Sequence, residues 1–326
     1  MWGFFPPYYK LLRRAGPIEV LAHRVLWSLV FVSLLLGVLR RGRRLVGLLR
    51  QPRMLAGVTA AAVLIAVNWG MYIYAVMSDH IVEASLGYFI NPLLTVLLGV
   101  VILRERLRRS QWVALGVGAV AVAVLTADYG RPPWIALTLA ASFGMYGLIK
   151  KWLALPAAEG LVAESAVLTV PALAYVAVLA HQGRSTFGTV SALHTTLLIV
   201  SGVLTAIPLL CFAAATNLIP LSGIGIMQYI TPTIQFGFGV LVYREAMPPA
   251  RAAGFGLVWL ALAIFTVDSL RAKTDIPGTP IPADDSDKGR PWEDPKVPNG
   301  SEVPNGLAVR GRSAAAGSPS PSAARP

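Results

Sequence analysis

Charge and cysteine are scarce in this chain. Only 13% of its 326 residues are Asp, Glu, Lys or Arg, which is about half the share found in soluble domains. Such a composition excludes an ordinary soluble enzyme. The single cysteine, Cys211, excludes an internal disulfide and a cysteine-based metal cage.

Catalytic motifs are also lacking. The sequence has 4 histidines and contains no HExxH, no GxSxG and no Gly-rich phosphate loop. We therefore expect no enzyme activity, no metal and no cofactor. The alternative is a membrane-embedded enzyme or scaffold that acts on lipid-linked substrates, but its acidic and basic groups would be clustered at one membrane depth, and here they are scattered.

Apolar residues, by contrast, make up 55% of the chain. The net charge is +12, and the positive residues lie between apolar runs, so the expected partner is a lipid bilayer and not nucleic acid. Nine runs are near the length of a membrane span: residues 17–39, 54–76, 82–103, 111–128, 131–149, 161–181, 194–215, 220–242 and 250–268. Residues 1–12 resemble the second half of a first helix, so we expect either that Met1 is not the natural start or that this form of the protein is impaired.

A shift of 140 residues superimposes the stretch 81–105 on 221–245. Eleven identical pairs follow between 90 and 128, among them Pro92/Pro232, Gly99/Gly239, Arg104/Arg244 and Glu105/Glu245. The pattern predicts an internal repeat. We expect an all-α integral membrane protein with ten transmembrane helices, the first truncated in this chain, arranged as two five-helix repeats, 1–128 and 129–270. Residues 271–326 are rich in Pro, Ser and charge, which predicts a disordered C-terminal tail.

An odd number of helices per repeat inserts the second repeat upside down, which is a transporter architecture with the site near the midplane. If both termini are cytoplasmic, the inside segments hold twice as many Lys and Arg residues as the outside loops. This bias favours an N-in, C-in protein of the cytoplasmic (inner) membrane, although the basic residues between Lys10 and Arg14 argue mildly against it.

Polar residues inside the apolar runs are the functional candidates. His23 and Trp27 are four residues apart and share a helix face. Arg24, beside them, needs a carboxylate, carbonyl groups or an anionic substrate, unless it reaches the interface. Asn68 and Trp69 lie deep in another run, where the amide serves either helix packing or substrate contact.

The two repeat-related prolines are candidate hinges. Pro92 and Pro232 each leave a backbone carbonyl without its helical partner, and polar side chains stand beside both prolines. We predict a pocket wall at Tyr88, Asn91, Gln228 and Tyr229. Two simple helix kinks are the alternative.

Two acidic residues and a set of glycines complete the candidates. Glu83 and Glu164 begin their apolar runs, where a carboxylate complements the helix dipole, and proton coupling by either is left open. Close helix packing is the expected role of Gly99, Gly116, Gly118, Gly237, Gly239 and Gly256.

Several blocks resemble the RarD proteins of the EamA branch of the drug/metabolite transporter superfamily. They are HRVLWS (23–28), EASLGYFINPLLTVLLG (83–99), PLLCFAAAT (208–216), QYITPT (228–233) and VWLALAIFTVD (258–268). The resemblance implies a secondary transporter that moves a small organic metabolite or drug by alternating access, most naturally as an exporter. The name of that family is linked with chloramphenicol sensitivity, which identifies no physiological substrate.

Overall fold

The computed structural model describes residues 1–38, 51–104, 107–218 and 228–274, all within one compact unit, Met1–Ile276. These residues form helices and no strand. The α-helices are α1 (Phe5–Leu11), α2 (Gly16–Val38), α3 (Pro52–Met77), α4 (Ile81–Leu103), α5 (Arg109–Tyr129), α6 (Trp134–Leu153), α7 (Ala157–His181), α8 (Ala192–Leu218), α9 (Ile230–Gly237) and α10 (Pro249–Thr274). A 3-10 turn, Trp2–Phe4, precedes α1, and a π-helix, Phe238–Val242, follows α9.

Seven helices of the described part are long and apolar enough to cross a membrane: α2, α3, α4, α5, α7, α8 and α10. Helix α6 is 20 residues long, and its last turn carries Lys150 and Lys151. The apolar segment Ile230–Val242 is shorter than a span. The expected all-α membrane protein is thus confirmed, and the ten-span count remains a prediction.

Predicted spans and helix bounds agree within a few residues where the structure describes both. Helix α6 begins at Trp134 and not at the predicted residue 131. Pro132 and Pro133 explain the difference, because a proline disfavours helical backbone angles at the residue before it. At the other end of the chain, α10 continues to Thr274. Residues 271–274 are therefore helical, contrary to the predicted tail boundary, and the rest of the tail is outside the described residues.

Three pairs of helices whose positions differ by 140 residues pack against each other. Helix α2 packs on α7, α4 on α9, and α5 on α10. The α5–α10 contact is a buried apolar layer that includes Leu125, Phe255 and Ala261. At the end of the first stretch of the repeat, Arg104 and its equivalent Arg244 both adopt a left-handed backbone, with φ of 55° and 53°.

The packing role expected for the glycines is wrong for three of them. Beyond the glycine's own helix backbone, no described atom would lie within 4 Å of a Cβ added at Gly116, Gly237 or Gly256. Gly118 and Gly239 do pack closely, since a Cβ there would lie 2.8 Å from Leu93 and 2.7 Å from Val82.

The closest helix approach among the described glycines is at Gly202 of α8. A Cβ at this position would lie 2.6 Å from Trp27 Cβ and closer still to the backbone of Trp27 and Ser28 in α2. The Ser28 hydroxyl also donates to the Gly202 carbonyl at 3.3 Å. Glycine therefore sets the distance between α2 and α8, and no repeat or motif indicated it.

Candidate functional site

Arg24 lies in the middle of a group of aromatic rings contributed by α1 and α3. Arg24 is only 3% exposed. Its Nη1 donates to the Tyr9 hydroxyl at 2.7 Å, and the guanidinium carbon lies 4.0 Å from the centre of the Trp69 ring and 5.7 Å from that of Phe5. These contacts satisfy the faces of the guanidinium and one of its donors.

No carboxylate pairs with Arg24 among the described residues. The ion pairs there join Lys10 and Arg13 to Asp79, Arg131 to Glu83, Lys150 to Glu164, and Arg251 to Asp128. The Nε of Arg24 is buried and has no hydrogen-bond partner. An arginine remains charged at any physiological pH, so this site holds a buried positive charge without a counter-ion from the described chain.

Two further tyrosines extend the aromatic wall. The Tyr72 ring lies 6.1 Å from the Tyr9 ring and 5.7 Å from the Tyr88 ring, in edge-to-face arrangements. Gln235 of α9 is close to Tyr72, and its Nε2 donates to the Trp2 carbonyl at 3.3 Å. The Tyr72 hydroxyl and Gln235 Oε1 are buried without partners. We call Tyr9, Arg24, Trp69, Tyr72, Tyr88 and Gln235 the Arg24 cluster.

His23 and Trp27 face a different neighbour, Phe187. The His23 ring stacks on Phe187 at 4.7 Å with an angle of 15°, and the Trp27 ring lies 6.3 Å from it at 28°. Both ring nitrogens of His23 and the Trp27 Nε1 are buried without partners. Phe187 belongs to the segment between α7 and α8, so a non-helical connection covers this end of α2.

Glu19 and His194 hold that connection in place. A Glu19 carboxylate oxygen accepts hydrogen bonds from the Thr186 amide at 2.8 Å and the Ser185 hydroxyl at 3.3 Å. The Nε2 of His194 lies 3.0 Å from the Thr186 hydroxyl. Because these bonds flank Phe187, they fix its ring over His23.

Asn68 forms hydrogen bonds between helices, as expected if its amide serves helix packing and not substrate contact. It is 1% exposed, and its Nδ2 donates to the Leu139 carbonyl at 2.9 Å and to the Ser142 hydroxyl at 3.1 Å on α6. This side chain joins α3 to α6 and does not face the Arg24 cluster, whereas its neighbour Trp69 does.

Asn91 has a free acceptor in mid-helix. Its Oδ1 is buried without a partner, and the atom lies 3.8 Å from where a Cβ of Gly144 would be. Helix α4 runs through Pro92, and the Thr95 hydroxyl donates to the Asn91 carbonyl at 2.9 Å. An unsatisfied amide oxygen beside a proline is a polar point on the otherwise apolar α4–α6 contact.

The structure does not bring Gln228 and Tyr229 to Tyr88. Gln228 is exposed, and Tyr229 packs with the α5–α10 cluster, which does not contain Tyr88. The residue of this segment that reaches the Arg24 cluster is Gln235, seven positions after Gln228. Pro232 lies in the first turn of α9 as described, where its missing amide costs no helical bond, so its hinge role stays a prediction.

Glu83 and Glu164 each have an ion-pair partner, whereas Arg24 has none among the described residues. The Glu83 carboxylate accepts from Arg131 Nη2 at 2.9 Å and from the Ile135 amide at 3.1 Å, which caps α6. Glu164 accepts from Lys150 Nζ at 2.8 Å and from the Tyr146 hydroxyl at 3.1 Å. Among the described residues, no group of three or more His, Cys, Asp or Glu side chains could hold a metal ion.

Comparison with known proteins relates this chain to a family of transporters. Residues 1–127 match the model of the EamA-like transporter family. "Protein RarD" of Streptomyces exfoliatus is 55% identical over 271 residues, which are 83% of this chain and 86% of that protein. "Protein RarD" of Escherichia coli is 40% identical, over 83% of this chain and 91% of its own length. "Chloramphenicol-sensitive protein RarD" of Pseudomonas aeruginosa is 30% identical, over 82% and 90%.

The chain is a RarD-type member of the EamA-like transporter family. It is accordingly a membrane transporter, and the resemblance inferred from its motifs is confirmed. A solved structure, entitled "Crystal structure of protein", covers 83% of the chain at 18% identity and a TM-score of 0.49, a likeness too weak to bear on the fold.

This RarD-type transporter has a cavity away from the Arg24 cluster. It measures about 360 Å³ and lies between α5 and α10, where it is lined by Ser110, Ala263, Ile264, Val267, Asp268 and Arg271. Sequence patterns had indicated Arg24, Trp69 and Tyr88. Packing, and no sequence pattern, connects the residues that were missed: Tyr9, Tyr72, Gln235 and Phe187.

Proposed function

We propose that the protein is a secondary transporter that exports a small organic metabolite or drug across the cytoplasmic membrane by alternating access. The observation that carries this proposal is the Arg24 cluster: a buried, uncompensated charge surrounded by aromatic rings inside a helical bundle. Charged groups in membrane-spanning helices are expensive and mark substrate pathways. An aromatic wall with a few placed polar atoms is the usual composition of a small-molecule site.

Two inverted repeats, 1–128 and 129–270, are the proposed mechanical units. The 140-residue repeat supports this division, as does the packing of α2 on α7, α4 on α9 and α5 on α10. Inverted repeats rock against each other around a site at their interface. The proposed orientation, N-in and C-in, then puts the connection with Phe187 on the outer side.

In this proposal, Phe187 with His23 and Trp27 is the outer gate. His23 is next to Arg24 on α2, Trp27 is one turn beyond Arg24, and Glu19 tethers the segment that carries Phe187. Release of that tether would uncover the outward end of α2. Pro92 in α4 and Pro232 at the start of α9 are the proposed hinges.

Alternating access predicts that a single position is reached from both sides of the membrane. In a Cys211→Ala background, Asn91→Cys adds one thiol on α4 one turn after Tyr88 of the Arg24 cluster, and Ala121→Cys adds one inside the fully buried α5–α10 contact. A membrane-impermeant maleimide is applied to right-side-out and to inside-out vesicles. We expect Asn91→Cys to react in both preparations and Ala121→Cys in neither. Reaction of Asn91→Cys from one side only contradicts the proposed mechanism.

A further inference from the structure

We propose that the solute bound at the Arg24 cluster is an organic anion, namely a carboxylate or similar acid on an apolar or aromatic body. This inference rests on the proposed transport function. It adds the chemical class of the solute, which neither the repeat nor the family names determine.

The buried positive charge of Arg24 favours an anionic solute. Arg24 is 3% exposed, and no described carboxylate lies within ion-pair distance of it. Burial of a charge without a partner is strongly unfavourable, and the Trp69 and Phe5 faces compensate only part of that cost. A bound anion would supply the missing counter-charge, whereas a cationic solute would increase the repulsion.

The repeat provides a matched position with which Arg24 can be compared. The position equivalent to Arg24 in the second half, 140 residues later, is Glu164, and that carboxylate has Lys150 and Tyr146 as partners. One member of the equivalent pair is therefore satisfied within the protein and the other is not. The unsatisfied member is the positive one, so the charge still required at the site is negative.

The geometry of the Arg24 guanidinium also suits a carboxylate. The Tyr9 hydroxyl occupies Nη1, and the ring of Trp69 covers a face of the guanidinium, but Nε on its edge is unpaired. A guanidinium binds carboxylates through its edge, with donors in a fixed fork. The rings therefore hold Arg24 in place and leave free the edge with which it would bind an acid.

The remaining surfaces indicate the rest of the solute. The rings of Tyr72 and Tyr88 continue the wall and suit an apolar or aromatic body. The Tyr72 hydroxyl and Gln235 Oε1 are buried next to each other, and this polar pair can exchange hydrogen bonds with a hydroxyl or amide group of the solute. A simple inorganic anion would leave both the rings and these two atoms unused.

Matched probes test the charge class directly. The purified full chain in detergent micelles is heated with phenylacetate, phenethylamine or 2-phenylethanol, which share one ring, and with the pair hexanoate and hexylamine. We expect the acids to raise the unfolding midpoint by about 2–4 °C at several times their dissociation constant. The amines and the alcohol should raise it less. Equal or greater stabilisation by the amines, or no shift with either acid, overturns the proposal.

Variants test whether Arg24 is the receptor. Arg24→Gln should abolish the shift caused by phenylacetate, and Arg24→Lys, which keeps the charge but not the fork, should weaken binding about tenfold or more. Arg131→Gln removes a partly exposed arginine at a loop and should leave the shift intact. A phenylacetate shift that persists in Arg24→Gln overturns the assignment. If Arg24→Gln does not fold, the Arg24→Lys comparison still decides.

The two proposals can fail separately. Thiol accessibility at Asn91→Cys does not depend on the charge of any solute. Access from both sides without a preference for acids leaves the transporter and rejects the anion. A preference for acids that requires Arg24, with access from one side only, leaves the anion site and rejects alternating access.

Discussion

The carboxylate of Glu245 accepts a hydrogen bond from the backbone amide of Val82 at 2.8 Å, although the two residues are 163 positions apart. Its other oxygen accepts from the Ile81 amide at 2.6 Å. These amides begin α4 and have no partner within that helix. A residue from the second half of the chain thus caps a helix of the first half.

We expect Glu245→Ala to destabilise the protein by about 1–3 kcal/mol, since two buried amides lose their acceptor. Thermal unfolding of the detergent-solubilised protein measures the loss. Glu245→Gln is the matched control, because its single amide oxygen can still accept from one amide and should cost less. Unchanged unfolding of Glu245→Ala would show that water replaces the cap at no cost.

Glu245 also predicts a pH dependence. Burial raises the pKa of this carboxyl above its ordinary value, and the amides of Val82 and Ile81 oppose the effect only in part. The folded state then binds the proton more tightly than the unfolded state. The stability that this group contributes is fully present below its unfolded pKa and is lost as the pH rises through its folded pKa. As the pH falls from 7 towards 4.5, the ordinary pKa of a glutamate, the wild type should therefore gain stability relative to Glu245→Gln, as measured by the difference between their unfolding midpoints. A difference that is constant or moves the other way contradicts this sign.

Asn68 and Asn91 should respond differently to the same substitution. Asn68→Leu removes two interhelical hydrogen bonds and leaves the Leu139 carbonyl without this donor, so we expect a loss of about 1–3 kcal/mol and less folded protein. Asn91→Leu removes an acceptor that has no partner, so stability should be almost unchanged while solute transport falls. Folded yield from size-exclusion chromatography and transport in vesicles separate the two effects. Equal losses of folded protein would make Asn91 a packing residue.

Much of the fold could be predicted because the membrane permits few structures. Backbone groups in lipid must be satisfied within a helix, so apolar runs of suitable length became helices such as α2 and α5 nearly residue for residue. The π-helix at Phe238–Val242 and the helical extension to Thr274 were not predicted. Both are set by the local pattern of backbone hydrogen bonds, and the hydrophobicity of the sequence, from which the spans were predicted, does not reveal that pattern.

The candidate site could be predicted only in part. Arg24 was visible as a charge in an apolar run, and Asn91 as an amide beside a proline. Tyr9 and Tyr72 have no such signature, since tyrosines are common in membrane helices and only packing shows that they surround Arg24. Phe187 lies outside every span, so no argument from membrane depth could connect it with His23.

Gly202 provides a test of how closely α2 and α8 approach. We expect Gly202→Ala to cost about 1–3 kcal/mol because its methyl group would overlap the backbone of Trp27 and Ser28. Gly256→Ala is the control: a Cβ there meets nothing within 4 Å, and alanine favours the helix by up to about 1 kcal/mol. Unfolding midpoints in detergent compare the two variants. A stable Gly202→Ala protein would show that the two helices can separate without loss.

The pair Lys150 and Glu164 tests whether a buried ion pair serves structure or proton coupling. The side chain of Glu164 is 3% exposed and that of Lys150 is 21% exposed. Lys150→Met should destabilise by about 2–4 kcal/mol, since it leaves a buried carboxylate with only the Tyr146 hydroxyl. The double variant Lys150→Met, Glu164→Leu should recover most of that stability, because no charge then remains to be buried.

If the pair is structural, the double variant also transports solute in vesicles with an unchanged response to an imposed pH gradient. If Glu164 carries the coupling proton, the same protein folds normally but no longer responds to the gradient. Failure of the double variant to recover stability would contradict the ion-pair argument itself.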